Sequence, residues 1–441
     1  MDQLIKEQLT GKKILFATVP ADGHFNPLTG LAKYFQEAGA DVRWYASDTF
    51  TKKLQQLAIP QFPYVKAIDT NAAGIDNLFP ERKLIEDPIK KANLDIIHGL
   101  VNRSSEFYED LQQIRESFPF DLLISDSVFP VAPLVKHLMH VPVVAIGIMP
   151  LGEISVDLAP YGMALLPPQN EEERKKYDEL RDLAANVLFK ESIDSYDALL
   201  KSYNISLPPS MLINLLIKTS DLYLQIGTPG FEYERSDLGK NIHFIGALFP
   251  YTQKGGHKLW FDERLNQYKK VVLVTQGTVE KDVQKIIVPT LEAFRDTDVM
   301  VIATTGGSET AALREKYPDH NFIIEDYLPF DEILPYTHAF ITNGGYGGSL
   351  LGIKYKTPLI AAGVHEAKNE ICARIGYFNY GINLNTENPA PEQLRAAVEE
   401  IIANDLYKNN VIRLAEELNN LNSNELSAKH IADLLSRKAV S

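Results

Sequence analysis

The sequence lacks a second cysteine and any excess of basic residues. With Cys372 as its one cysteine, the 441-residue chain forms no internal disulfide, and no metal-ligand spacing surrounds that residue. The 44 basic residues are outnumbered by 58 acidic ones, which gives a net charge of −14. That balance disfavours binding to a phosphate backbone, so we expect no nucleic acid partner.

Long uninterrupted apolar runs are also missing. The longest apolar region, 131–151, is broken by lysine, histidine and proline, which predicts a helix followed by a buried strand rather than an integral membrane span. Residues 1–13 carry mixed charges and no apolar stretch, so we expect no secretory signal. Together with the single cysteine, these features favour a cytoplasmic protein.

Short apolar strands alternate with helical segments along the whole chain. Parallel, doubly wound α/β sheets have this alternation, and 441 residues are too many for one ordinary core. The predicted strands are Lys13–Val19, Val42–Ala46, Leu122–Ser125, Val141–Ile146, Val271–Thr275, Val299–Thr305, Ala339–Thr342 and Pro358–Ala362. The sequence therefore predicts two similar α/β halves.

A polar, glycine-containing stretch, 251–258, separates the halves and predicts a hinge. We expect an N-terminal domain over residues 1–250, a linker over 251–265 and a C-terminal domain over 266–422. Residues 423–441 predict a helix with an apolar stripe that needs covering. We expect this helix to pack back on the N-terminal domain.

His24 lies where a buried strand meets an amphipathic helix. Pro27 suits the first turn of that helix, and Gly39 supplies its end. Ligands of open α/β sheets bind beyond the carboxyl ends of the strands, where His24 would lie. His24 is therefore a candidate base for a bound alcohol, although a capping or loop histidine fits the same spacing.

The segment 343–349 places four glycines between a strand and a helix. Backbone amides at such a helix start can approach an anion closely, which favours a phosphate or diphosphate ligand. Neither the Walker lysine motif nor the dinucleotide fingerprint is present. A tight turn that needs glycine for its own geometry is the alternative.

Taken together, these motifs resemble those of the GT-B family-1 glycosyltransferases, most closely the bacterial macrolide-type members. Residues 23–27 match the family's Gly-His-x-Asn-Pro, and 123–126 match the strand that ends in the aspartate partner of that histidine. In the second half, residues 276–278 match the family's Leu-Gly-Ser/Thr, and residues 326–329 match the segment that stacks an aromatic ring on the nucleobase. Two further segments are substituted: residues 343–345 stand in place of His-Gly-Gly, and residues 365–369 stand in place of Asp-Gln-x-x-Asn.

The resemblance implies two Rossmann-like parallel-sheet domains facing across a cleft. It also implies inverting transfer of a sugar from a UDP- or dTDP-linked donor to a hydroxyl of a lipophilic natural product or xenobiotic. His24 would be the general base, with Asp126 orienting it, and neither a metal nor a resident cofactor would be needed. Asp296-Thr297-Asp298 looks like a metal motif, but its position before a strand predicts a turn.

The resemblance also names the residues that would bind the two substrates. The implied donor-binding residues are Gln276, Gly277, Thr278, Tyr327, Leu328, Asn343, Gly344, Gly345, Gly347, Gly348, Ser349, His365, Glu366 and Asn369. For the acceptor we expect Phe25, Met149, Tyr161 and Met163, most of them in an apolar loop that could equally be core. We expect a monomer or weak dimer.

Three positions depart from the family pattern. Asn343 replaces a histidine but can still donate through its amide. Phe330 and Leu351 stand where the family has side chains that hydrogen-bond the donor. A donor other than UDP-glucose, such as a deoxysugar or unusual hexose, would fit these changes.

Two other functions remain open on the sequence. The donor-site departures favour an accessory protein that is catalytically silent and activates a partner transferase, whereas the intact His24 and Asp126 favour catalysis. A nucleotide-sugar epimerase of the same architecture would need acid and base groups around the sugar, for which His365 and Glu366 are the only candidates.

Overall fold

The computed structural model describes residues 2–252, 260–277, 280–365 and 367–438. Its strands are β1 (Lys13–Ala17), β2 (Asp41–Ala46), β3 (Gln61–Pro63), β4 (Leu122–Asp126), β5 (Val143–Gly147), β6 (Leu222–Ile226), β7 (Ile242–Gly246), β8 (Lys270–Thr275), β9 (Val299–Thr304), β10 (Phe322–Glu325), β11 (Ala339–Thr342), β12 (Leu359–Ala361) and β13 (Gly381–Asn383).

The strands form two separate parallel sheets, one in each half of the chain. The first sheet has the order β3-β2-β1-β4-β5-β6-β7, and the second has the order β10-β9-β8-β11-β12-β13. The order reverses between β1 and β4 in the first sheet and between β8 and β11 in the second. Ligands of doubly wound folds bind at such reversals, so each half has one preferred position for a site.

Helices cover both faces of each sheet. They are α1 (Gln3–Leu9), α2 (Asp22–Glu37), α3 (Thr51–Gln56), α4 (Thr70–Ala73), α5 (Ile75–Leu78), α6 (Pro88–Ile96), α7 (Arg103–Ser117), α8 (Ala132–Leu134), α9 (Glu171–Leu183), α10 (Lys190–Ser202), α11 (Leu212–Thr219), α12 (Ile287–Phe294), α13 (Thr310–Lys316), α14 (Phe330–Ile333), α15 (Tyr346–Lys354), α16 (Lys368–Tyr377), α17 (Pro391–Ala403), α18 (Asp405–Asn419) and α19 (Ser423–Lys438). In the described ranges, none of these helices is long and apolar enough to cross a membrane.

The last helix, α19, returns to the first sheet. It packs against α1, α2, β6 and β7, and Ser423 Oγ donates to the Ala247 carbonyl at 2.6 Å. Ala428 and Ile431 of its apolar stripe are fully buried. The chain thus crosses back to the N-terminal half after completing the second sheet.

The predicted strands of both sheets are present, and the helix after β1, α2, begins earlier than predicted. It begins at Asp22, so Pro27 lies in its second turn rather than its first. A proline there removes one backbone hydrogen bond of the helix. The difference matters for function, because His24 then belongs to the first turn of α2 instead of the preceding loop.

Candidate functional site

His24 and Asp126 meet at the strand reversal of the first sheet. His24 is in the first turn of α2, directly after β1, and Asp126 ends β4, which pairs with β1. The His24 Nδ1 and Asp126 Oδ1 atoms are 3.0 Å apart. The imidazole is 23% exposed and the carboxylate is fully buried, so only the histidine is accessible to a ligand.

Backbone amides hold the Asp126 carboxylate in place. Val19 N donates to Oδ2 at 2.8 Å, and Val128 N donates to Oδ1 at 2.9 Å. A buried carboxylate is tolerated when hydrogen bonds satisfy it in this way. Because Asp126 accepts from Nδ1, the neutral imidazole has its proton on Nδ1 and a free lone pair on Nε2. The pair can therefore take a proton from an incoming group.

The strand ends of the second sheet converge at its own reversal, between β8 and β11. The amide of Asn343, after β11, donates to the carbonyl of Gln276, after β8. A Cβ built on Gly277 would lie 3.2 Å from Asn343 Nδ2, and one on Gly306 would lie 3.3 Å from the Gly277 carbonyl. These turns leave no room for larger side chains and form a surface made mainly of backbone.

Tyr327 provides a flat face beside these turns. Its side chain follows β10 and is 70% exposed, while its hydroxyl donates to the Gly306 carbonyl at 2.9 Å. That hydrogen bond anchors the far end of the ring and leaves its face open. An anchored, exposed aromatic ring is suited to stacking against a planar ligand group.

The helix that starts in the glycine-rich turn has open amides. Gly345 is the N-cap of α15 and gives no side-chain cap, and Gly347 and Gly348 occupy the first turn. A Cβ on Gly347 or Gly348 would meet no atom within 4 Å. Amides at a helix start that lack a side-chain cap favour an anion, because the helix dipole is positive there.

His365 lies beyond β12, near charged groups that the sequence did not single out. Its imidazole is 74% exposed, and its Nε2 is 3.8 Å from Glu387 Oε2. Lys285 Nζ is 3.3 Å from the same Glu387 oxygen and also pairs with Glu280. Glu387 comes from the loop after β13, a short strand that gives no clear sequence signal. The cluster adds charge at the edge of the predicted donor region.

Several predicted site residues are directed into the protein instead. Phe25 is fully buried and stacks on Phe50 with ring centroids 4.1 Å apart, so its ring is part of the core. Gln276 and Ser349 are also fully buried, and Leu328 packs against the main core cluster. The side chains of Phe25, Gln276 and Ser349 are therefore closed to a ligand, whereas Leu328 stays partly exposed.

Asn369 has its amide engaged with the other half of the chain. Its Nδ2 donates to the carbonyl of Gly162, at 2.6 Å.

Among the acceptor residues predicted in the apolar loop, Met149, Tyr161 and Met163 are each partly exposed. Burial raises the pKa of Tyr161 well above its usual value, and the nearby Glu370 carboxylate adds to this effect. The phenol therefore stays protonated at neutral pH.

Two of the three departures from the family pattern, Phe330 and Leu351, are partly buried and pack against the core. Phe330 packs edge-on against Phe340, with ring centroids 5.9 Å apart, and Leu351 packs against the same core cluster. Cys372 lies buried beneath the glycine-rich turn, and burial raises the pKa of its thiol to about 12. Of these side chains, Cys372 lies directly against Gly344 of the turn.

Four predicted features lie outside the described residues or away from the site. Thr278, Glu366 and the central linker residues 253–259 fall outside the described ranges. The segment 296–298 is a turn at the amino end of β9, opposite the glycine-rich turn, as predicted. Within the described ranges, no group of three His, Cys, Asp or Glu side chains is placed to hold a metal ion.

Comparison with known proteins agrees with this architecture. The profile of the UDP-glucoronosyl and UDP-glucosyl transferase family matches residues 99–419. The chain is 28% identical over 416 residues to 4'-demethylrebeccamycin synthase of Lentzea aerocolonigenes, covering 92% of this chain and 96% of that protein. It is 30% identical over 428 residues to UDP-glucosyltransferase 1 of Beauveria bassiana, covering 90% of each.

Solved structures show the same fold at lower identity. The calicheamicin glycosyltransferase CalG4 superposes with a TM-score of 0.74 at 19% identity, covering 97% of this chain and 99% of that one. The spinosyn rhamnosyltransferase solved with thymidine diphosphate gives 0.66 at 13% identity, with 96% and 99% covered. The two-sheet architecture is therefore that of a GT-B glycosyltransferase.

The chain belongs to the UDP-glucoronosyl and UDP-glucosyl transferase family. It is accordingly a family-1 glycosyltransferase, an enzyme that moves a sugar from a nucleotide donor to an acceptor. The resemblance noted in the sequence is confirmed. The comparisons give no support to the alternative of an accessory protein that is catalytically silent.

Proposed function

We propose that the enzyme inverts the anomeric carbon while transferring a sugar to a hydroxyl of a lipophilic small molecule. The observation that carries the proposal is the His24–Asp126 pair, 3.0 Å apart at the reversal of the first sheet. His24 Nε2 takes the acceptor proton as the new carbon–oxygen bond forms. The bond to the nucleoside diphosphate breaks, and its electron pair leaves with the diphosphate. Asp126 offsets the positive charge that develops on the imidazole.

The donor would bind along the carboxyl edge of the second sheet. The open amides of Gly347 and Gly348 meet the charge that develops on the leaving diphosphate. Tyr327 stacks on the nucleobase, and His365 lies at the sugar end. Thr278 and Glu366 keep the donor roles that the family resemblance implies.

The donor nucleotide is a UDP- or dTDP-linked sugar. The family description and the Beauveria relative name UDP, whereas the spinosyn rhamnosyltransferase was solved with thymidine diphosphate. Phe330 and Leu351 cannot hydrogen-bond the donor, so backbone contacts and stacking supply more of the binding. A deoxysugar or unusual hexose suits a site of this composition.

The acceptor would lie on the loop that follows β5. Tyr161 and Met163 are partly exposed there, and the adjacent Leu165 and Leu166 are exposed large apolar residues. Exposed apolar groups next to a polar site are typical of surfaces that bind hydrophobic ligands. One similar enzyme was solved with a spinosyn aglycone, and others are named as a 4'-demethylrebeccamycin synthase and a calicheamicin glycosyltransferase. A large apolar hydroxylated molecule fits this loop.

Further features of the enzyme belong to the same proposal. The domain bounds are 1–250 and 266–422, joined by a linker at 251–265, and residues 423–441 complete the N-terminal domain. The enzyme works in the cytoplasm as a monomer or weak dimer, without a metal or resident cofactor. Opening and closing about the linker would admit and enclose the substrates.

A transfer assay with two variants tests the catalytic pair. We expect His24→Gln and Asp126→Asn to lower kcat by about 10²–10⁴-fold, the usual contribution of a positioned general base. UDP- and dTDP-glucose are offered with hydroxylated macrolide and aromatic acceptors, and products are measured by mass spectrometry. Stabilisation by UDP should persist in both variants, because the nucleotide site is in the other half.

The matched control is His320→Gln, at an exposed histidine that precedes β10. It should transfer sugar at the wild-type rate. Wild-type rates in His24→Gln, or no transfer by the wild-type protein to any acceptor, would contradict the proposal.

A further inference from the structure

A turn of the N-terminal half is held by the first turn of α16 in the C-terminal half. Gly162 N and Ala164 N each donate to the same oxygen, Glu370 Oε1, at 2.8 Å. Asn369 Nδ2 donates to the Gly162 carbonyl at 2.6 Å. Two adjacent residues of the C-terminal half, Asn369 and Glu370, therefore hold this turn, residues 161–164, through three hydrogen bonds.

The conformation of the 161–164 turn needs such external support. Gly162 has φ +98° and Ala164 has φ +53°, so both are in the left-handed region. That region is unfavourable for alanine because of its Cβ. The two amides of this turn donate to one carboxylate oxygen, so Glu370 stabilises both left-handed positions. The turn takes its shape from α16.

The second oxygen of Glu370 belongs to a buried ion network. Arg374 lies 2.8 Å from Glu370 Oε2 and 2.9 Å from Glu232 Oε2, and the three side chains are 2–6% exposed. The other oxygen of Glu232 accepts from Leu151 N at 2.8 Å. Leu151 and Ala164 both lie in the loop between β5 and α9. The two ends of the segment 151–164 are therefore bound to α16 through charged groups.

We propose that Glu370 is a positioning residue for the acceptor, acting from the donor half of the enzyme. The inference rests on the proposed function, in which Tyr161 and Met163 contact the acceptor. The helix α16 begins within the predicted sugar-binding segment 365–369, and its first turn binds the acceptor turn. Acceptor recognition thus depends on residues of the C-terminal half, and Asn369 supports the acceptor turn rather than the donor.

Only a carboxylate can serve both partners of Glu370. One oxygen accepts from two amides and the other accepts from the Arg374 guanidinium. A glutamine side chain has one acceptor oxygen and one NH₂ donor group. Its NH₂ group would face either the backbone amides or the arginine, and both of these are donors. Glu370→Gln still leaves Arg374 paired with Glu232, and we expect the protein to fold. In Asn369→Asp, the side chain can still accept a hydrogen bond from the backbone N–H of Glu370, but it can no longer donate one to the Gly162 carbonyl.

Steady-state kinetics of Glu370→Gln and Asn369→Asp test the inference. We expect the acceptor KM to rise about tenfold, the effect of losing a hydrogen bond to a charged or buried group. The donor KM should stay within about twofold of wild type, because the diphosphate site on α15 is unchanged. Glu392→Gln, the same exchange in the exposed first turn of α17, is the matched control with wild-type constants.

Amide hydrogen exchange provides a second readout that needs no substrate. We expect the Gly162 and Ala164 amides to be protected in the wild type and to exchange faster in Glu370→Gln. Unchanged exchange, an unchanged acceptor KM, or an equal rise of both KM values would overturn the inference. Failure of the proposed function would appear differently, as absence of transfer by the wild-type enzyme.

Discussion

Among single residues, the glycines around the start of α15 are of two kinds. Gly344 has φ +80°, and a Cβ there would lie 2.5 Å from Cys372 Sγ, so the fold itself requires glycine. Gly347 and Gly348 meet nothing within 4 Å, so packing within the protein does not require glycine there. The two explanations left open by the sequence therefore apply to different residues of one turn.

Substitution of Gly347 separates ligand binding from stability. We expect Gly347→Leu to keep the melting temperature of the free protein, because leucine is a good helix former and has open space at this position. The added side chain covers the helix amides, so UDP and dTDP should no longer raise the melting temperature. Thermal unfolding with and without each nucleotide measures both effects.

The companion variant Gly344→Ala should behave in the opposite way. A left-handed alanine costs about 1–3 kcal/mol, and the contact with Cys372 adds to this, so the melting temperature of the free protein should fall. Full nucleotide stabilisation in Gly347→Leu would rule out an anion site at the start of α15.

Sequence motifs predicted individual site residues unevenly. The position of His24 after a buried strand made it a candidate, and the family resemblance supplied Asp126 as its partner; the two side chains lie 3.0 Å apart at the sheet reversal. Phe25 follows His24 in the same motif, yet neighbouring helix residues point in different directions, and its ring enters the core. Glu232 and Arg374 are far apart in the chain, and no local pattern reveals that they pair. A buried arginine within the apolar run 371–375 is the one signal that could have identified them.

At the scale of elements, strands with continuous apolar runs were predictable. β1, β4, β8 and β9 are buried on both faces, so their sequences are almost wholly apolar. β3 and β13 have only three residues each, too few to show a pattern. β7 has partly exposed residues in its centre and lies at the edge of its sheet. Edge and very short strands are defined by their neighbours rather than by their own composition.

The contribution of α19 can be tested by one substitution on its buried face. Ile431 is fully buried in the main core cluster, so Ile431→Ala should lower the free energy of unfolding by about 2–5 kcal/mol. Urea unfolding followed by circular dichroism measures the change. Asp433→Ala, on the exposed side of the same helix, is the control and should shift stability by less than about 0.5 kcal/mol. Equal stability of the two variants would contradict the docking of this helix.

At the scale of the whole molecule, the two halves contact each other through polar groups of the second half. Tyr346, at the start of α15, donates to the Ile226 carbonyl at 3.0 Å, and Tyr380 donates to the Gly230 carbonyl at 2.6 Å. The helix that presents amides to the donor therefore also contacts the end of β6. Such contacts join residues more than 100 positions apart, which is why the sequence predicted two halves but not how they meet.

In the proposed reaction, one direct displacement assisted by His24 carries the sugar from the donor half to the acceptor half. The most direct test is the anomeric configuration of the product made from an α-linked nucleotide sugar. Proton magnetic resonance of the purified product reports that configuration through the coupling of the anomeric proton. Our account predicts a β-linked product, whereas an α-linked product would contradict a single displacement with His24 as the base.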